Sequence, residues 1–504
     1  MRTRETWGTR AGFIMAAAGS AIGLGNIWRF PGEAYQFGGG AFLLPYLVAI
    51  LTAGLPLLLL EYTIGRRHRG GPPAAFRRLA GPAEGIGWWQ TAVAFFLATF
   101  YAVIIAWALN YAWFSASLAW GEDAAAFFGE DFLGVSEDPL RFGHYRPGIL
   151  AALVAVWALV LLIMSGGIRR GVELANKICI PLLVVLFGAI VVRALTLDGA
   201  AAGLDAFFTP QWGRIGEVEI WLAAYGQVFF SLSIGMGTMI TYASYLRRGA
   251  ELSNTALTVG LSNASFELLA GIGVFAVLGF MSARSGTAIG DLVEVGGGVA
   301  FVTFPTVLAQ MPGGALVGVL FFSSLVIAGI TSIVSMVIVP LASVEDRLGW
   351  SRRRTLALIG VPMALFSILV YPAANGSHML DAVDFAVSGY GLILCGLATI
   401  VAAFAAGRLP ALASEANRTS VFRIGRAWYA CLALTGAVLA WTVAANLLDQ
   451  GRNLYGEDGE LDPLILVNWV VGGVSIAFGA VMGFVMRRRP LPAEARGEPA
   501  LDLD

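Results

Sequence analysis

Two short glycine-containing phrases decide the fold of this chain. The first is Gly19-Ser20-Ala21-Ile22-Gly23-Leu24-Gly25-Asn26, and the second is Ser231-Leu232-Ser233-Ile234-Gly235-Met236-Gly237-Thr238. Each lies in the middle of a long apolar run and reads Ile-Gly-x-Gly followed by a polar residue. Glycine is about 1 kcal/mol less favourable than alanine inside a helix. Two glycines at this spacing therefore predict an interruption in each of the two helices.

The composition of the chain indicates a membrane protein with many helical spans. Its 504 residues are 58% hydrophobic and only 13% charged, and the mean hydropathy is +0.75. Soluble chains contain roughly 25% charged residues. With a net charge of −1 and three cysteines inside apolar runs, the sequence excludes a nucleic-acid-binding protein, a disulfide scaffold and an ordinary cytosolic enzyme.

Apolar runs separated by charged residues predict twelve transmembrane helices, which we number as spans 1 to 12. Their predicted ranges are 11–35, 40–65, 87–119, 147–166, 174–197, 217–246, 252–281, 313–344, 353–371, 379–406, 424–448 and 463–486. The stretch 284–312 is predicted to be an outer cap, and 490–504 a disordered cytoplasmic tail.

The basic residues predict the orientation of these spans. If the N-terminus is cytoplasmic, 25 of the 32 Lys and Arg residues fall in the inner segments. The outer loops between spans 3 and 4 and between spans 11 and 12 are acidic instead. Because basic residues accumulate on the cytoplasmic side of membrane proteins, we expect a multi-pass protein of the inner membrane with both termini in the cytoplasm.

The two interruptions have a physical consequence at membrane depth. A broken helix leaves N–H and C=O groups unpaired, and each unpaired group costs several kcal/mol in hydrocarbon. A single Gly-x-Gly would more simply allow close helix packing. Two copies in register, each beside polar side chains, instead favour a transporter built from inverted repeats with a binding site at the midplane.

The chemistry of the breaks predicts the kind of ligand. Half-helix N-termini present free N–H groups that suit a carboxylate, and half-helix C-termini present free C=O groups that suit a small cation or an ammonium group. Neutral oxygen donors suit an alkali cation rather than zinc or copper; the donors nearby are Asn26, Ser231, Asn263, Thr331 and Ser332. The residues therefore predict a zwitterion bound beside Na⁺.

Longer phrases of the sequence then point to a family. They are Arg4-Glu5-Thr6-Trp7, Gly23-Leu24-Gly25-Asn26-Ile27-Trp28-Arg29-Phe30-Pro31, Gly38-Gly39-Gly40-Ala41-Phe42 with Pro45-Tyr46, Gly226-Gln227-Val228-Phe229-Phe230-Ser231-Leu232-Ser233 and Thr241-Tyr242-Ala243-Ser244-Tyr245. The chain resembles the neurotransmitter:sodium symporter family, in its bacterial amino-acid branch typified by the leucine transporter. This resemblance implies an all-α LeuT-type fold with twelve transmembrane helices, of which 1 and 6 are unwound. Residues 1–197 and 198–408 would be inverted repeats of five spans each, and 409–489 an accessory pair.

The resemblance implies two sodium sites. The first would consist of the Ala21 carbonyl with Asn26, Ser231 and Asn263. The second would consist of the carbonyls of Gly19, Ile22 and Ala328 with the hydroxyls of Thr331 and Ser332. Taken alone, these two hydroxyls would more often bond to their own helix. Only their register with the first break makes them candidate ligands.

The resemblance also implies a substrate site. The carboxylate would lie on the backbone of Ala21, Gly23, Leu24 and Gly25 and on the Tyr101 hydroxyl. The side-chain pocket would consist of Leu97, Tyr101, Phe230, Ser231, Ser233, Met236, Ser332 and Met336. Gly23 replaces an aspartate that pairs with the amine in monoamine-transporting relatives, so an amino acid is favoured over an amine. Met236 replaces a phenylalanine of the leucine transporter, and its flexible thioether can adapt to larger side chains. We therefore expect a hydrophobic L-amino acid, aromatic ones included.

Charged residues complete the set that the resemblance implies. Arg29 and Asp384, with Asp381 as a neighbour, would form an outer gate beneath which Phe230 and Tyr101 close the site. Arg4 and Asp346 would form an inner gate, with Trp7 packed below the site. The alternative for each pair is a static ion pair, and exposed pairs contribute only about 0–1 kcal/mol. Glu267, near Gln227 and Tyr46, would supply the negative charge that chloride supplies in other relatives, so we expect transport without chloride.

The sequence thus predicts a Na⁺-coupled importer that works by alternating access, with no enzymatic activity and no obligate protein partner. Two alternatives remain open: a sensor that binds its ligand without carrying it, and a transporter of another carboxylate-bearing zwitterion. An intramembrane hydrolase is disfavoured because no span places a serine with a histidine, or paired carboxylates, at catalytic spacing.

Overall fold

The computed structural model describes residues 5–136, 138–293, 298–452 and 463–492. These residues are almost entirely helical, and the extended pairing among them consists of isolated bridges. Ten of the described helices are long and apolar enough to cross a membrane. They are spans 2 to 5 at Gly40–His68, Gly81–Phe114, Pro147–Ser165 and Ile168–Leu195, spans 7 to 10 at Ser253–Ser285, Gly314–Leu348, Arg352–Val370 and Gly376–Ala405, and spans 11 and 12 at Arg426–Ala445 and Pro463–Met486.

Spans 1 and 6 are the two interrupted helices. Span 1 consists of Arg10–Ala21, here called 1a, and Gly25–Gln36, here called 1b, with a bend of 54° between them. Span 6 consists of Val218–Ser231 and Thr238–Ser244, here called 6a and 6b. Each of the twelve predicted spans thus corresponds to one helix or one broken pair, and both predicted breaks are confirmed.

The backbone interrupts both helices, and in span 6 its conformation favours glycine. Ile22 is extended, with φ −76° and ψ 91°, so 1a cannot continue into Gly23. In span 6, Gly235 and Gly237 have φ of +89° and +79°. Glycine adopts positive φ readily because it lacks a Cβ atom, whereas other residues pay a steric cost there. The two glycines therefore permit a loop of six residues between 6a and 6b.

The interior of the bundle is formed by the spans that flank the breaks. In span 8 the most apolar stretch is 89% buried within the protein, compared with 22% in span 12. Spans 3 and 7 are also mostly buried, while spans 4, 5, 9 and 11 present most of their apolar surface outward. The broken spans therefore meet polar side chains of spans 3, 7 and 8 rather than lipid.

Aromatic packing fixes the predicted outer cap. Its described parts include Ile289–Leu292 and Phe304–Gln310. The ring of Phe304 stacks on Phe321 of span 8 at 4.2 Å between centroids, and Phe301 meets Tyr111 of span 3 at 5.2 Å. The segment predicted to be the cap is thus packed against spans 3 and 8.

The prediction of a disordered tail is wrong for its first three residues. Residues 490–492 are described, Leu491 is fully buried, and the Pro490 carbonyl accepts a hydrogen bond from Arg347 at 3.3 Å. The remaining part of the predicted tail, 493–504, lies outside the described residues.

Candidate functional site

The break of span 1 presents its backbone to span 3. The Leu24 amide donates a hydrogen bond to the Tyr101 hydroxyl at 3.1 Å. A Cβ atom placed on Gly23 would lie 3.0 Å from both the Tyr101 and the Ser332 hydroxyl oxygens. The backbone of Gly23, the phenol of span 3 and the hydroxyl of span 8 therefore meet at one point. Only glycine leaves room there for a further small group.

A cluster of neutral polar side chains lies beside this point, at the predicted first sodium site. Asn26 Nδ2 donates to Asn263 Oδ1 at 2.8 Å, and Asn263 Nδ2 donates to Ser231 Oγ at 3.0 Å. Asn26 Oδ1 accepts from the Gly23 amide at 3.0 Å, and Ala21 is buried next to the break. Spans 1b, 6a and 7 thus bring together the three predicted side chains. Buried, uncharged amide and hydroxyl oxygens are a donor set that fits an alkali cation.

The residues of the predicted second sodium site join spans 1a and 8. Ser332 Oγ donates to the Gly19 carbonyl at 3.3 Å, and Thr331 Oγ1 donates to the Ala328 carbonyl at 2.8 Å. Ile22 is buried at the non-helical end of 1a. The structure therefore shows Thr331 bonded within its own helix, the simpler alternative for this residue, while Ser332 reaches across to span 1. The oxygen atoms of this group that could bind a cation are all uncharged, and such oxygens fit Na⁺ as those of the first cluster do.

Two of the predicted substrate side chains, Phe230 and Ser233, contact the break of span 1. Phe230 covers the backbone of 1b, since a Cβ atom on Gly25 would lie 2.8 Å from its ring. Ser233 Oγ donates to the Ser20 carbonyl at 2.7 Å and so ties the break of span 6 to that of span 1. The remaining pocket residues are buried members of the same core, namely Leu97, Met236 and Met336.

Glu267 is the fully buried carboxylate next to the first cluster. Gln227 Nε2 donates to Glu267 Oε1 at 2.6 Å, and the Tyr46 hydroxyl donates to Oε2. Asn263 Nδ2 lies 3.4 Å from the same Oε2 atom. Glu267 therefore contacts both of the other predicted charge-balance residues and the side-chain amide of Asn263 in the first cluster.

A second buried carboxylate, Glu61 of span 2, was missed by the sequence reasoning. Its Oε1 atom accepts a hydrogen bond from the Gly235 amide at 2.7 Å, inside the break of span 6. Its Oε2 atom has no hydrogen-bond partner among the described residues. A glutamate directly after the apolar run Leu57-Leu58-Leu59-Leu60 could have been found by the rule that ionisable residues inside membrane spans are functional candidates.

The predicted outer-gate pair is not in contact in this structure. Arg29 Nε pairs with Glu33 Oε1 at 2.7 Å, and its guanidinium lies 4.9 Å from the centre of the Phe230 ring. Asp384 accepts a hydrogen bond from Ser388 at 2.6 Å, and no ion pair within 4.0 Å connects it to Arg29. Glu33 was not predicted, although its position four residues after Arg29 on one helix is a signal for such a pair.

The residues of the predicted inner gate lie only in part within the described residues. Arg4 is outside them, so the predicted pair of Arg4 with Asp346 is not described. Asp346 Oδ2 accepts from the Gly71 amide at 2.7 Å. Trp7 Nε1 donates to the Tyr242 carbonyl at 2.9 Å, which attaches the N-terminal segment to 6b. Asp381, the predicted neighbour of the outer gate, is exposed and lies three residues before Asp384.

Comparison with known proteins places the chain among transporters. The sequence profile of the sodium:neurotransmitter symporter family matches residues 4–126 and 121–458. A sodium-dependent transporter of Methanocaldococcus jannaschii is 39% identical over 459 residues, which cover 90% of this chain and 93% of the relative. The sodium-dependent transporter YhdH of Bacillus subtilis is 33% identical over 393 residues, or 76% of this chain and 83% of that protein.

A solved structure extends the comparison to the fold. The crystal structure of MhsT in complex with L-phenylalanine superposes with a TM-score of 0.74 at 32% identity, over 88% of this chain and 100% of that chain. The predicted LeuT-type helical fold is confirmed by this match. Because the family profile covers most of the sequence and both broken spans, the chain belongs to the sodium:neurotransmitter symporter family, a family of multi-pass, sodium-dependent membrane transporters.

Proposed function

We propose that this chain imports a hydrophobic L-amino acid, aromatic ones included, together with Na⁺. The observation that carries the proposal is the meeting of the Leu24 amide with the Tyr101 and Ser332 hydroxyls at Gly23. These groups lie next to the N-terminus of 1b, where free amides and the helix dipole favour a carboxylate. A ligand carboxylate could accept hydrogen bonds from the amide and from both hydroxyls.

The same point argues for an amino acid rather than an amine. No side chain projects from Gly23, and a Cβ atom there would already crowd two hydroxyls. No protein carboxylate then stands at the position of Gly23, so a ligand that binds there has to bring its own negative charge to this point. The apolar surfaces of Leu97, Phe230, Met236 and Met336 suit a hydrophobic side chain, and L-phenylalanine is the ligand of the similar MhsT structure.

Coupling to Na⁺ follows from the closeness of the two clusters to the carboxylate position. Asn26 contacts both the Gly23 amide and Asn263, so a cation at the first cluster would share its surroundings with the ligand carboxylate. A cation at the second cluster would hold 1a against span 8 through the Gly19 carbonyl and Ser332. In this proposal each ligand stabilises the break that binds the other, and neither binds well alone.

The proposed transport cycle needs a moving part and an orientation. We propose that spans 1, 2, 6 and 7 rock against the remaining spans, and that residues 1–197 and 198–408 are inverted repeats.

The glutamine, tyrosine and asparagine contacts of Glu267 support a fixed carboxylate near the first cluster, so transport would not require chloride. The positive-inside distribution of arginines supports cytoplasmic termini in the inner membrane.

Uptake by the purified protein in proteoliposomes tests this function. An inward Na⁺ gradient is expected to drive accumulation of radiolabelled L-phenylalanine or another hydrophobic amino acid, and counterflow should occur between labelled and unlabelled substrate. Binding without counterflow would instead identify a sensor. Accumulation that is unaffected by replacing Na⁺ with choline would contradict the proposal.

Variants assign the sodium sites within the same assay. Asn26→Ala and Thr331→Ala are expected to raise the Na⁺ concentration required for half-maximal uptake by at least about tenfold, corresponding to roughly 1.4 kcal/mol. Ser324→Ala is the matched control for Thr331→Ala. Ser324 is a buried residue of span 8, as Thr331 is, and its hydroxyl donates to the Phe321 carbonyl of the same helix. An unchanged Na⁺ dependence in both variants would refute the assignment.

Chloride dependence is a separate test. Uptake by the unmodified protein is expected to be the same in chloride and gluconate. Glu267→Ser removes the buried carboxylate and is expected to make uptake require chloride. Chloride-dependent uptake by the unmodified protein would contradict the role proposed for Glu267.

A further inference from the structure

We propose that Ser335 of span 8 is a positioning residue for the second sodium site, acting through a hydrogen bond with Ser20 of 1a. Ser20 Oγ donates to Ser335 Oγ at 2.7 Å, and both residues are buried. We call these two residues the serine pair. The inference rests on the sodium-coupled function proposed above, and it gives a role to two residues that are not predicted cation ligands.

The serine pair lies directly beside the predicted ligands of the second site. Ser20 follows Gly19 in 1a, and Ser335 lies three residues after Ser332 in span 8. Ser332 Oγ donates to the Gly19 carbonyl at 3.3 Å. Two neighbouring hydrogen bonds therefore join 1a to span 8, one between predicted ligands and the other between the two members of the serine pair.

These two hydrogen bonds differ in what happens to them when a cation binds. If Gly19 and Ser332 are both ligands, their oxygen atoms face the cation and the hydrogen bond between them is lost. The serine pair has no such conflict, because neither of its hydroxyls is a predicted ligand. It therefore holds 1a against span 8 while the site is still empty. Holding ligands in place before binding lowers the entropic cost of binding.

Both members of the serine pair are themselves held in place. The Ser20 carbonyl accepts a hydrogen bond from Ser233 Oγ at 2.7 Å, inside the break of span 6. The Ser335 carbonyl accepts one at 3.2 Å from Oγ1 of Thr238, the first residue of 6b. Ser335 Oγ donates to the Ser332 carbonyl at 2.6 Å. The serine pair is thus the point where both broken spans are attached to span 8.

The alternative is that packing alone positions 1a. A Cβ atom on Gly19 would lie 2.4 Å from Asn176 Oδ1 and 2.8 Å from Ile180 Cδ1, so 1a also fits closely against span 5. Serine hydroxyls in helices commonly bond to their own backbone, as Ser335 does. If packing were sufficient, removing either hydroxyl of the serine pair would leave cation binding unchanged.

Hydrogen exchange of 1a during a Na⁺ titration tests the proposal without transport or substrate. The purified full chain is titrated with Na⁺ against choline at constant ionic strength, and exchange of the amides of Arg10–Ala21 is followed by mass spectrometry. The midpoint is the Na⁺ concentration that gives half-maximal protection. Because the cation binds the arrangement in which 1a contacts span 8, a smaller population of that arrangement raises the midpoint.

Ser335→Ala is expected to raise the midpoint about three- to tenfold, corresponding to roughly 0.6–1.4 kcal/mol. Hydrogen bonds between membrane helices have strengths in this range. Protection at saturating Na⁺ is expected to equal that of the unmodified chain, because the filled site itself holds 1a. Ser20→Ala and the double variant Ser20→Ala/Ser335→Ala are expected to shift the midpoint equally, since each variant removes the same hydrogen bond.

Ser324→Ala is again the matched control, because Ser324 is a buried serine of span 8 whose hydroxyl donates to the Phe321 carbonyl. Its midpoint is expected to be unchanged, and a shift equal to that of Ser335→Ala would overturn the proposal. An unchanged midpoint in both single variants of the serine pair, or additive shifts in the double variant, would do the same. Reduced protection at saturating Na⁺ would show that Ser335 has a structural role instead.

Failure of the sodium site itself gives a different result. If the second site bound no Na⁺, 1a of the unmodified chain would gain no protection from Na⁺, or Thr331→Ala would keep the normal midpoint. Either result would refute the site and with it the role of Ser335. A shifted midpoint in Thr331→Ala beside a normal midpoint in Ser335→Ala would refute the role of Ser335 alone.

Discussion

Removing the acceptor that Glu61 offers to the break of span 6 is predicted to weaken substrate binding. Glu61 Oε1 accepts a hydrogen bond from the Gly235 amide at 2.7 Å, and both groups are buried. Methionine has a similar length but no acceptor of comparable strength, whereas glutamine retains a carbonyl oxygen. Glu61→Met therefore removes the hydrogen bond, and Glu61→Gln keeps it.

The size of the effect follows from the buried amide. Leaving such a group without a partner costs about 1–3 kcal/mol. Because the loop 232–237 carries pocket residues, this cost acts on the conformation that binds substrate. Each 1.4 kcal/mol is a factor of ten in affinity. Glu61→Met is therefore expected to raise the dissociation constant by about 5- to 150-fold, and Glu61→Gln by less than about threefold.

Equilibrium binding of radiolabelled L-phenylalanine in saturating Na⁺ measures this difference on the purified protein. Thr63→Val is the matched control, since Thr63 is buried two residues away and bonds to Leu59 within its own helix. We expect the control to bind normally. If Glu61→Met and Glu61→Gln weakened binding equally, the acceptor role of Glu61 would be refuted and its charge would be the important property.

Three further predictions concern other parts of the site and the fold. Gly23→Ala places a Cβ atom 3.0 Å from the hydroxyl oxygens of Tyr101 and Ser332. It is expected to reduce the affinity for L-phenylalanine at least about tenfold in the same binding assay. An unchanged affinity would exclude the proposed carboxylate position. Glu33→Gln weakens the 2.7 Å ion pair with Arg29, and a partly exposed pair of this kind contributes roughly 1 kcal/mol. The variant is therefore expected to change the substrate association rate by up to about fivefold in stopped-flow binding. An unchanged rate would show that the pair has no gating role. Arg347→Met removes one of the two arginines that pair with the buried Glu84, with Arg77 remaining at 2.9 Å, and is expected to cost about 1–3 kcal/mol of stability, seen as a lower melting temperature. Recovery is expected in the double variant with Glu84→Gln, and equal melting of the single variant and the unmodified protein would contradict this role of Arg347.

The breaks could be predicted from the sequence because they depend on local backbone properties. Gly235 and Gly237 adopt positive φ, and glycine is the residue that does so at little cost. The span boundaries could be predicted for a similar reason, since hydrophobic length and charged ends are properties of continuous segments. Even there, the end of span 12 continued into an ordered stretch, because Arg347 binds carbonyls beyond Met486.

The choice of partners within the site could not be predicted in the same way. Arg29 has one carboxylate on its own helix and another on span 10, and only three-dimensional distances decide between Glu33 and Asp384. Glu61 meets Gly235 across a sequence separation of 174 residues, which no local pattern reports. The hydroxyl of Thr331 can bond to its own helix or serve a cation, and the difference is a rotation of one side chain.

A structure determined with L-phenylalanine and Na⁺, in chloride-free buffer, would locate the substrate and the cations together. We predict that the ligand carboxylate lies within hydrogen-bond distance of the Leu24 amide and the Tyr101 hydroxyl. We also predict cation density bounded by the oxygens of Asn26, Ser231 and Asn263. Ligand density away from the two breaks, or spans 1 and 6 continuous as helices when the ligand is bound, would contradict these predictions.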